Sequence, residues 1–331
     1  MTNNNSLKVC GIGRTKTLLN SISFLHKNEF DVKLIITSKQ SDHDPVTPKD
    51  FKKLASKIGA NLIETNNIND LELKNQIKKY SFDIGVSVNN PRVISKEILS
   101  LFKHGILNAH PGDLPKYRGN ATPNWAIIKN KKKIPITIHF MDEGLDSGSI
   151  LIKKFFKINQ ATTVSDFYQF AEKEVPTLFL SALKKIKKGN VKTITQSKNP
   201  KKILRAYPRN KFDGKINWNM SATLINRIIR ASGPPFFGAY TFYNNKKMFI
   251  LDSRVEKPKF KFYAEPGQVA ERRKNGDVVV ASSKDFLVIT KVRYNDVIFE
   301  KPTKLIKSIY TRLGMNLEEE IERILNKLEL N

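Results

Sequence analysis

Cysteine is almost missing from this chain. Cys10 is the only one in 331 residues, which excludes an internal disulfide and any cysteine-cluster metal site. No apolar run nears the roughly 20 residues that cross a bilayer. The opening Met1-Thr2-Asn3-Asn4-Asn5-Ser6 is polar and lacks the marks of a secretory signal. These absences lead us to expect a protein of the reducing cytoplasm with no membrane partner. Acidic side chains are also scarce, 31 against 58 Lys and Arg, for a net charge of +27. Such an excess invites a nucleic-acid reading, because basic surfaces release counterions from phosphates. With 45 lysines and 13 arginines spread along the chain, a solvated surface or attraction to a diphosphate substrate explains the charge as well. There is no strand-turn-helix Ser or Cys elbow and no phosphate-cradling glycine loop with its lysine. Gly11-x-Gly13 lacks its third glycine, position 16 being Lys16, so it reads as a turn and does not imply NAD.

What is present divides the chain in two. Lys8 to Gly13 and Asp31 to Thr37 read as apolar strands around a helix carrying Leu18, Leu19, Ile22 and Leu25, a unit that predicts a parallel sheet. Helices over 48–58 and 70–80 and strands over 61–64 and 82–88 continue it. Further strands over 134–141 and 150–158 follow, then a long helix over 163–188. Residues 190–210 show little periodicity and read as a linker. Short strands at 247–251, 267–271, 277–282 and 286–292 suit a small barrel. A helical tail over 301–331 carries a stripe of Leu317, Ile321, Ile324, Leu325 and Leu328, which packs on the body or on a second subunit, leaving a homodimer open. The expected fold is α/β, a Rossmann-like mostly parallel domain over 1–189 followed by an OB-like β-barrel domain over 211–300. Asp42-His43-Asp44 offers a candidate metal pair, but no third ligand is apparent, and we expect no metal.

The chemistry concentrates in two stretches. His104 to Gly119 holds Asn108, His110 and Leu114-Pro115-Lys116-Tyr117-Arg118-Gly119, and Met141 to Gly148 holds Asp142-Glu143-Gly144-Leu145-Asp146-Ser147-Gly148. Each polar residue alone has a structural reading. Asn108 can cap the turn before Pro111, His110 can sit in the core, and Asp146 can serve the turn to Gly148. His139, alternating with apolar residues, reads as a satisfied strand histidine.

Taken together, Asn-x-His, Leu-Pro-x-x-x-Gly and Asp-x-Gly-x-Asp-x-Gly in this order and spacing resemble the folate-dependent formyltransferase family, over residues 7 to about 295. One departure is Gly112-Asp113, where many members have Ser-Leu. The resemblance implies that 10-formyltetrahydrofolate is the co-substrate and that Asn108, His110 and Asp146 are catalytic. An amide donates to the oxyanion without titrating, an imidazole can take the amine proton or, when charged, join the amide in stabilising the oxygen, and a carboxylate beside it fixes the tautomer and supports the charged ring. The resemblance also places the pterin against backbone groups of Val88, Asn89 and Asn90 and of Asp142, Glu143 and Gly144. The acceptor side falls to Lys116, Tyr117, Arg118, Asn124 and Trp125. The loop after the second strand, Thr37 to Pro45, is short and mixed in charge, and Asn124-Trp125 is nearer the pattern of enzymes that formylate amino sugars on nucleotide carriers. We therefore expect a nucleotide-linked amino sugar as partner. Initiator Met-tRNA is the alternative, and an inactive formyltransferase-like binding module a further one.

Overall fold

Seven strands make the first sheet: β1 (Lys8–Gly13), β2 (Asp31–Thr37), β3 (Asn61–Glu64), β4 (Ile84–Val88), β5 (Ile106–His110), β7 (Lys133–Phe140) and β8 (Ile150–Lys157). The omitted β6 (Arg118–Gly119) belongs to a separate ribbon. The spatial order is β3-β2-β1-β4-β5-β7-β8. Parallel pairing runs from β3 to β5, and β7 and β8 add on antiparallel. These are the coordinates of a computed structural model that describes residues 6–41, 44–314 and positions 321, 324 and 325. Asp42 and His43, considered above as metal ligands, and Leu317 and Leu328 of the terminal stripe lie outside the described residues.

The parallel strands read as apolar runs because both faces are covered. One face carries Val9, Val32, Ile35, Val86 and Leu107. It packs on α1 (Lys16–Lys27), α2 (Pro48–Ile58) and α6 (Val164–Lys187). In α1 the spacing of Leu18, Ile22 and Leu25 turns one stripe inward. On the other face Cys10, Ile12, Leu34 and Ile36 meet α3 (Leu71–Lys78) and α4 (Lys96–Leu99) through Leu73, Ile77 and Ile98. Burial there pushes the Cys10 thiol well above its ordinary pKa, so it behaves as a small apolar group. Helix α5 (Thr122–Ile128) lies in sequence between β6 and the first antiparallel strand, β7.

The chain divides into two compact units. The first takes residues through 126, 131–160 and 165–208, and the second takes 127–130, 161–164 and the residues from 209 on. The stretch 190–208, expected as part of a linker, thus counts with the first unit. Ile194 bridges Ile150, and β9 (Arg205–Ala206) pairs in parallel with β6. From residue 209 on, the second unit holds a short 3-10 helix (Lys211–Gly214), α7 (Ala222–Ser232), β10 (Ala239–Tyr243), β11 (Lys246–Glu256), β12 (Val269–Arg272), β13 (Val278–Ala281), β14 (Phe286–Tyr294) and β15 (Val297–Phe299). These strands form an antiparallel sheet in the order β10-β11-β14-β13-β12, with β15 on β14. The fold is thus a Rossmann-like, mostly parallel domain followed by an antiparallel one. Among the described residues no helix is long and apolar enough to cross a membrane.

Candidate active site

Strand β5 supplies the first two groups. Its alternation sends Leu107 and Ala109 into the core and leaves Asn108 and His110 together on the other face. Antiparallel pairing then sets His139 of β7 directly opposite Asn108, and a register shift between β7 and β8 falls at Ile138/His139. Bulges of this kind are frequent beside active sites, where they re-aim a side chain.

The hydrogen bonds fix which atom does what. His139 Nδ1 lies 2.8 Å from the Phe140 carbonyl, which can only accept, so Nδ1 carries the hydrogen and Nε2 is the acceptor. Asn108 Nδ2 donates to that Nε2 at 3.2 Å. Burial first, and then the neighbouring His110, holds the His139 pKa well below its usual value, so the ring stays neutral and keeps the lone pair this bond needs. One amide hydrogen of Asn108 is thereby engaged, and the second is left for a ligand oxygen.

His110, only 4% exposed, is held the other way round. Its Nε2 donates to the Tyr117 carbonyl at 2.7 Å, and Nδ1 faces Asp146 Oδ2 at 3.5 Å. The sequence led us to expect the carboxylate to set the tautomer. In the structure the Tyr117 carbonyl does so, and Asp146 addresses the nitrogen that remains to exchange a proton. Gly112 makes the close approach possible, since a Cβ there would lie 2.4 Å from both His110 Nε2 and the Tyr117 oxygen.

Asp146 sits between the two imidazoles, with its Oδ1 3.7 Å from His139 Nε2. It adopts a left-handed backbone conformation, φ 50°, that non-glycine residues rarely take. The Gly119 N–H donates to its Oδ2 at 2.8 Å, and Gln196 Nε2 donates to its backbone carbonyl at 2.8 Å. Thus the structure brings Asn108, His110 and Asp146 to one place and adds His139. Two participants escaped sequence reasoning. His139 looked like an ordinary strand residue because the register that sets it against Asn108 is not written locally. Gln196 lay in a stretch without periodicity, and no signal in the sequence marks it.

The residues expected at the pterin flank this cluster. Val88 is buried at the end of β4, with its carbonyl accepting from the Arg14 N–H, while Asn89 is exposed at φ 53° and Asn90 Nδ2 is bound to the Arg92 carbonyl. Asp142, Glu143 and Gly144 are exposed. Asp142 Oδ1 there accepts from the Gly144 N–H and the Ser147 hydroxyl. Ser87 is in register with Asn108 and Met141 bonds the Ile106 carbonyl, so the two groups lie toward opposite ends of β5 with Asn108 between them.

The expected acceptor residues separate. Lys116 is exposed, whereas Tyr117 and Asn124 are buried, at 7% and 2% exposure. Burial, and then Asp113, raises the Tyr117 hydroxyl pKa, keeping it protonated. Arg118 turns its guanidinium onto Gln196 Oε1, at 2.9 and 3.3 Å, and so braces the loop. Trp125 Nε1 donates to the Tyr207 carbonyl at 2.9 Å. Tyr207 is 63% exposed, and the Arg205 guanidinium lies 5.1 Å from its ring centre. Among the described residues no group of three or more His, Cys, Asp or Glu is placed to hold a metal ion.

The fold and the site define a Rossmann-like enzyme whose amide, imidazole and carboxylate converge on one partly open point. More particularly, the chain belongs to the formyl transferase family: residues 7–183 match the family model for formyl transferase, and residues 209–307 match that of its C-terminal domain. It is 32% identical over 301 residues to the methionyl-tRNA formyltransferase of Clostridium acetobutylicum, an alignment covering 87% of this chain and 92% of that one. With the corresponding enzyme of Thermodesulfovibrio yellowstonii it shares 31% over 247 residues, 74% of this chain and 76% of the relative. Its fold is similar to an N-formyltransferase from Helicobacter canadensis solved with folinic acid and dTDP-3-aminofucose, with a TM-score of 0.62, 21% identity, and coverage of 86% of this chain and 98% of that one. A 4-N formyltransferase from Francisella tularensis is similar at a TM-score of 0.59 and 20% identity, covering 74% and 96%. The chain is a formyltransferase.

Proposed function

We propose that this formyltransferase moves the formyl group of 10-formyltetrahydrofolate to the primary amine of an amino sugar on a nucleotide carrier, with Asn108, His110 and Asp146 as the catalytic residues. The amine attacks the formyl carbon, and the carbonyl oxygen becomes an oxyanion within reach of the free Asn108 Nδ2 hydrogen. Such a preorganised donor is worth on the order of 10²–10³ in rate. His110 Nδ1, its other nitrogen tied to Tyr117, takes the proton that the amine loses, and Asp146 stabilises the resulting imidazolium. Collapse of the intermediate breaks the bond to the folate nitrogen, which keeps the electron pair and takes the proton from the His110 imidazolium as it leaves, restoring the neutral ring. The exposed backbone about Asn89 and over Asp142 to Gly144 is where the pterin is expected, on either side of Asn108.

The acceptor reading is carried by Tyr207 with Arg205 above it. An exposed ring and a guanidinium share one ribbon with Arg118 and Gly119, and the Gly119 N–H holds Asp146. A base can stack on such a ring while the cation meets a phosphate. Lys116, exposed on the adjoining loop, is placed to add a second cation. In the same reading the enzyme is cytoplasmic and its antiparallel domain is OB-like.

One observation favours Met-tRNA instead: the relatives near 30% identity that span most of the chain are methionyl-tRNA formyltransferases. The reading as an inactive binding module has little support beside an intact catalytic cluster. The deciding assay follows absorbance as tetrahydrofolate is released from 10-formyltetrahydrofolate, with nucleoside-diphosphate-linked amino sugars in one arm and Met-tRNA in the other. Turnover in the sugar arm alone is expected. Turnover in the tRNA arm alone reverses the assignment, and none in either supports the binding module.

A further inference from the structure

We infer that Gln196 is a positioning residue for Asp146, so that the segment following α6 completes the catalytic edge. The inference rests on the catalytic reading of Asp146 given above.

Gln196 is 6% exposed, and its amide is fully used. Nε2 donates to the carbonyls of Asp146 and Gly148, at 2.8 and 2.7 Å, and Oε1 accepts from Nε and Nη2 of Arg118. A primary amide has two donor hydrogens and two acceptor sites, and all four are occupied. The orientation is unambiguous, because a flipped amide would set its oxygen against two carbonyls and its NH₂ against a guanidinium. One side chain therefore ties the loop bearing the carboxylate to the loop bearing Tyr117 and Arg118, and the Tyr117 carbonyl orients His110.

The anchoring is needed. Asp146 sits at φ 50°, in the left-handed region, where the hydrogen bonds around it help to hold its backbone. On one side the Gly119 N–H fixes its carboxylate. On the other, Gln196 fixes its backbone, and the neighbouring bridge between Ile194 and Ile150 fixes Gln196. Releasing the backbone lets the carboxylate drift from the 3.5 Å it keeps with His110 Nδ1, and displacements near 1 Å cost about 10²-fold in rate.

The test is a double-mutant cycle on the full chain, read by tetrahydrofolate release with a dTDP-linked amino sugar and, in parallel, with Met-tRNA. Gln196→Ala, and Gln196→Glu as a variant of equal size that still accepts from Arg118, should each lower kcat by roughly 10- to 100-fold while KM for 10-formyltetrahydrofolate stays within about threefold. Adding Gln196→Ala to Asp146→Asn should cost far less than Gln196→Ala costs the parent, since Gln196 acts chiefly through the carboxylate already removed. A merely structural role predicts losses that multiply. The inference is overturned if both Gln196 variants keep kcat within about threefold while Asp146→Asn is impaired, or if the double variant is worse than Asp146→Asn by the full Gln196 factor. If Asp146→Asn itself keeps the parent kcat, the catalytic reading fails and takes the inference with it.

Discussion

Removing the Asn108 amide should slow transfer with little damage to the fold, and the structure gives the size of the effect. In Asn108→Ala the donor aimed at the oxyanion is lost, which costs on the order of 10²–10³ in kcat, or about 2.7–4 kcal/mol of transition-state stabilisation. The same change leaves His139 Nε2 without its donor at 3.2 Å. That orphaned acceptor belongs to a ring only 1% exposed, so about 1–3 kcal/mol of folding stability should go with it, the cost of an unsatisfied buried group. Asn108→Asp is a sharper probe. It keeps the shape, but its carboxylate cannot donate and comes to lie near Asp146, because both residues contact His139 Nε2. It should therefore be at least as slow as Asn108→Ala above neutral pH. Steady-state release of tetrahydrofolate measures kcat, and urea unfolding measures stability. If either variant retains kcat within about fivefold of the parent while folded, the amide does not stabilise the transition state and the argument from its free hydrogen is wrong.

Gly148→Ala should lose stability and activity together, because a Cβ there would lie 1.9 Å from the Phe140 carbonyl and the loop carrying Asp146 must shift to admit it. A loss of roughly 2 kcal/mol or more in urea unfolding, with a lower kcat, is expected, and an unperturbed protein would refute the close approach. His139 has its pKa depressed in the folded state. The unfolded chain therefore takes up a proton near the ordinary histidine value of 6.5 that the folded chain does not, and stability should fall as pH drops from 6.5 through the folded pKa. Relative to His139→Gln, the parent should lose up to about 1.4 kcal/mol per pH unit over that window, and parallel curves would show that His139 is not held neutral. Lys116→Ala should leave kcat nearly unchanged and raise KM for the acceptor, since its side chain is exposed and no hydrogen bond of the cluster involves it. A large fall in kcat would instead place Lys116 at the reacting atoms.

Much of the first domain was legible in the sequence for a physical reason. Strands buried on two faces are apolar throughout, so Asp31 to Thr37 and the helix from Pro48 to Ile58 stand out with their observed limits. Asn108, His110 and Asp146 were legible because spacing, turn residues and family pattern agreed. The partners that orient them were not. His139 acquires its role from a cross-strand register, Tyr117 acts through a backbone carbonyl that any residue carries, and Gln196 comes from 50 residues beyond Asp146. In the second domain β11 runs on to Glu256 through Asp252, Ser253 and Arg254, where exposed polar positions hide the strand from a hydrophobic pattern. The exposed pair Arg205 and Tyr207 likewise gains meaning only once β9 is seen beside β6.

The most direct test of the central claim is the structure of the complex with 5-formyltetrahydrofolate, which carries a formyl group on a non-transferring nitrogen. The account predicts the formyl oxygen within about 3 Å of Asn108 Nδ2, with His110 Nδ1 and the Asp146 carboxylate facing the path of the incoming amine. A formyl group bound away from Asn108, or an Asn108 amide turned from His139 with its oxygen toward the ligand, would contradict it.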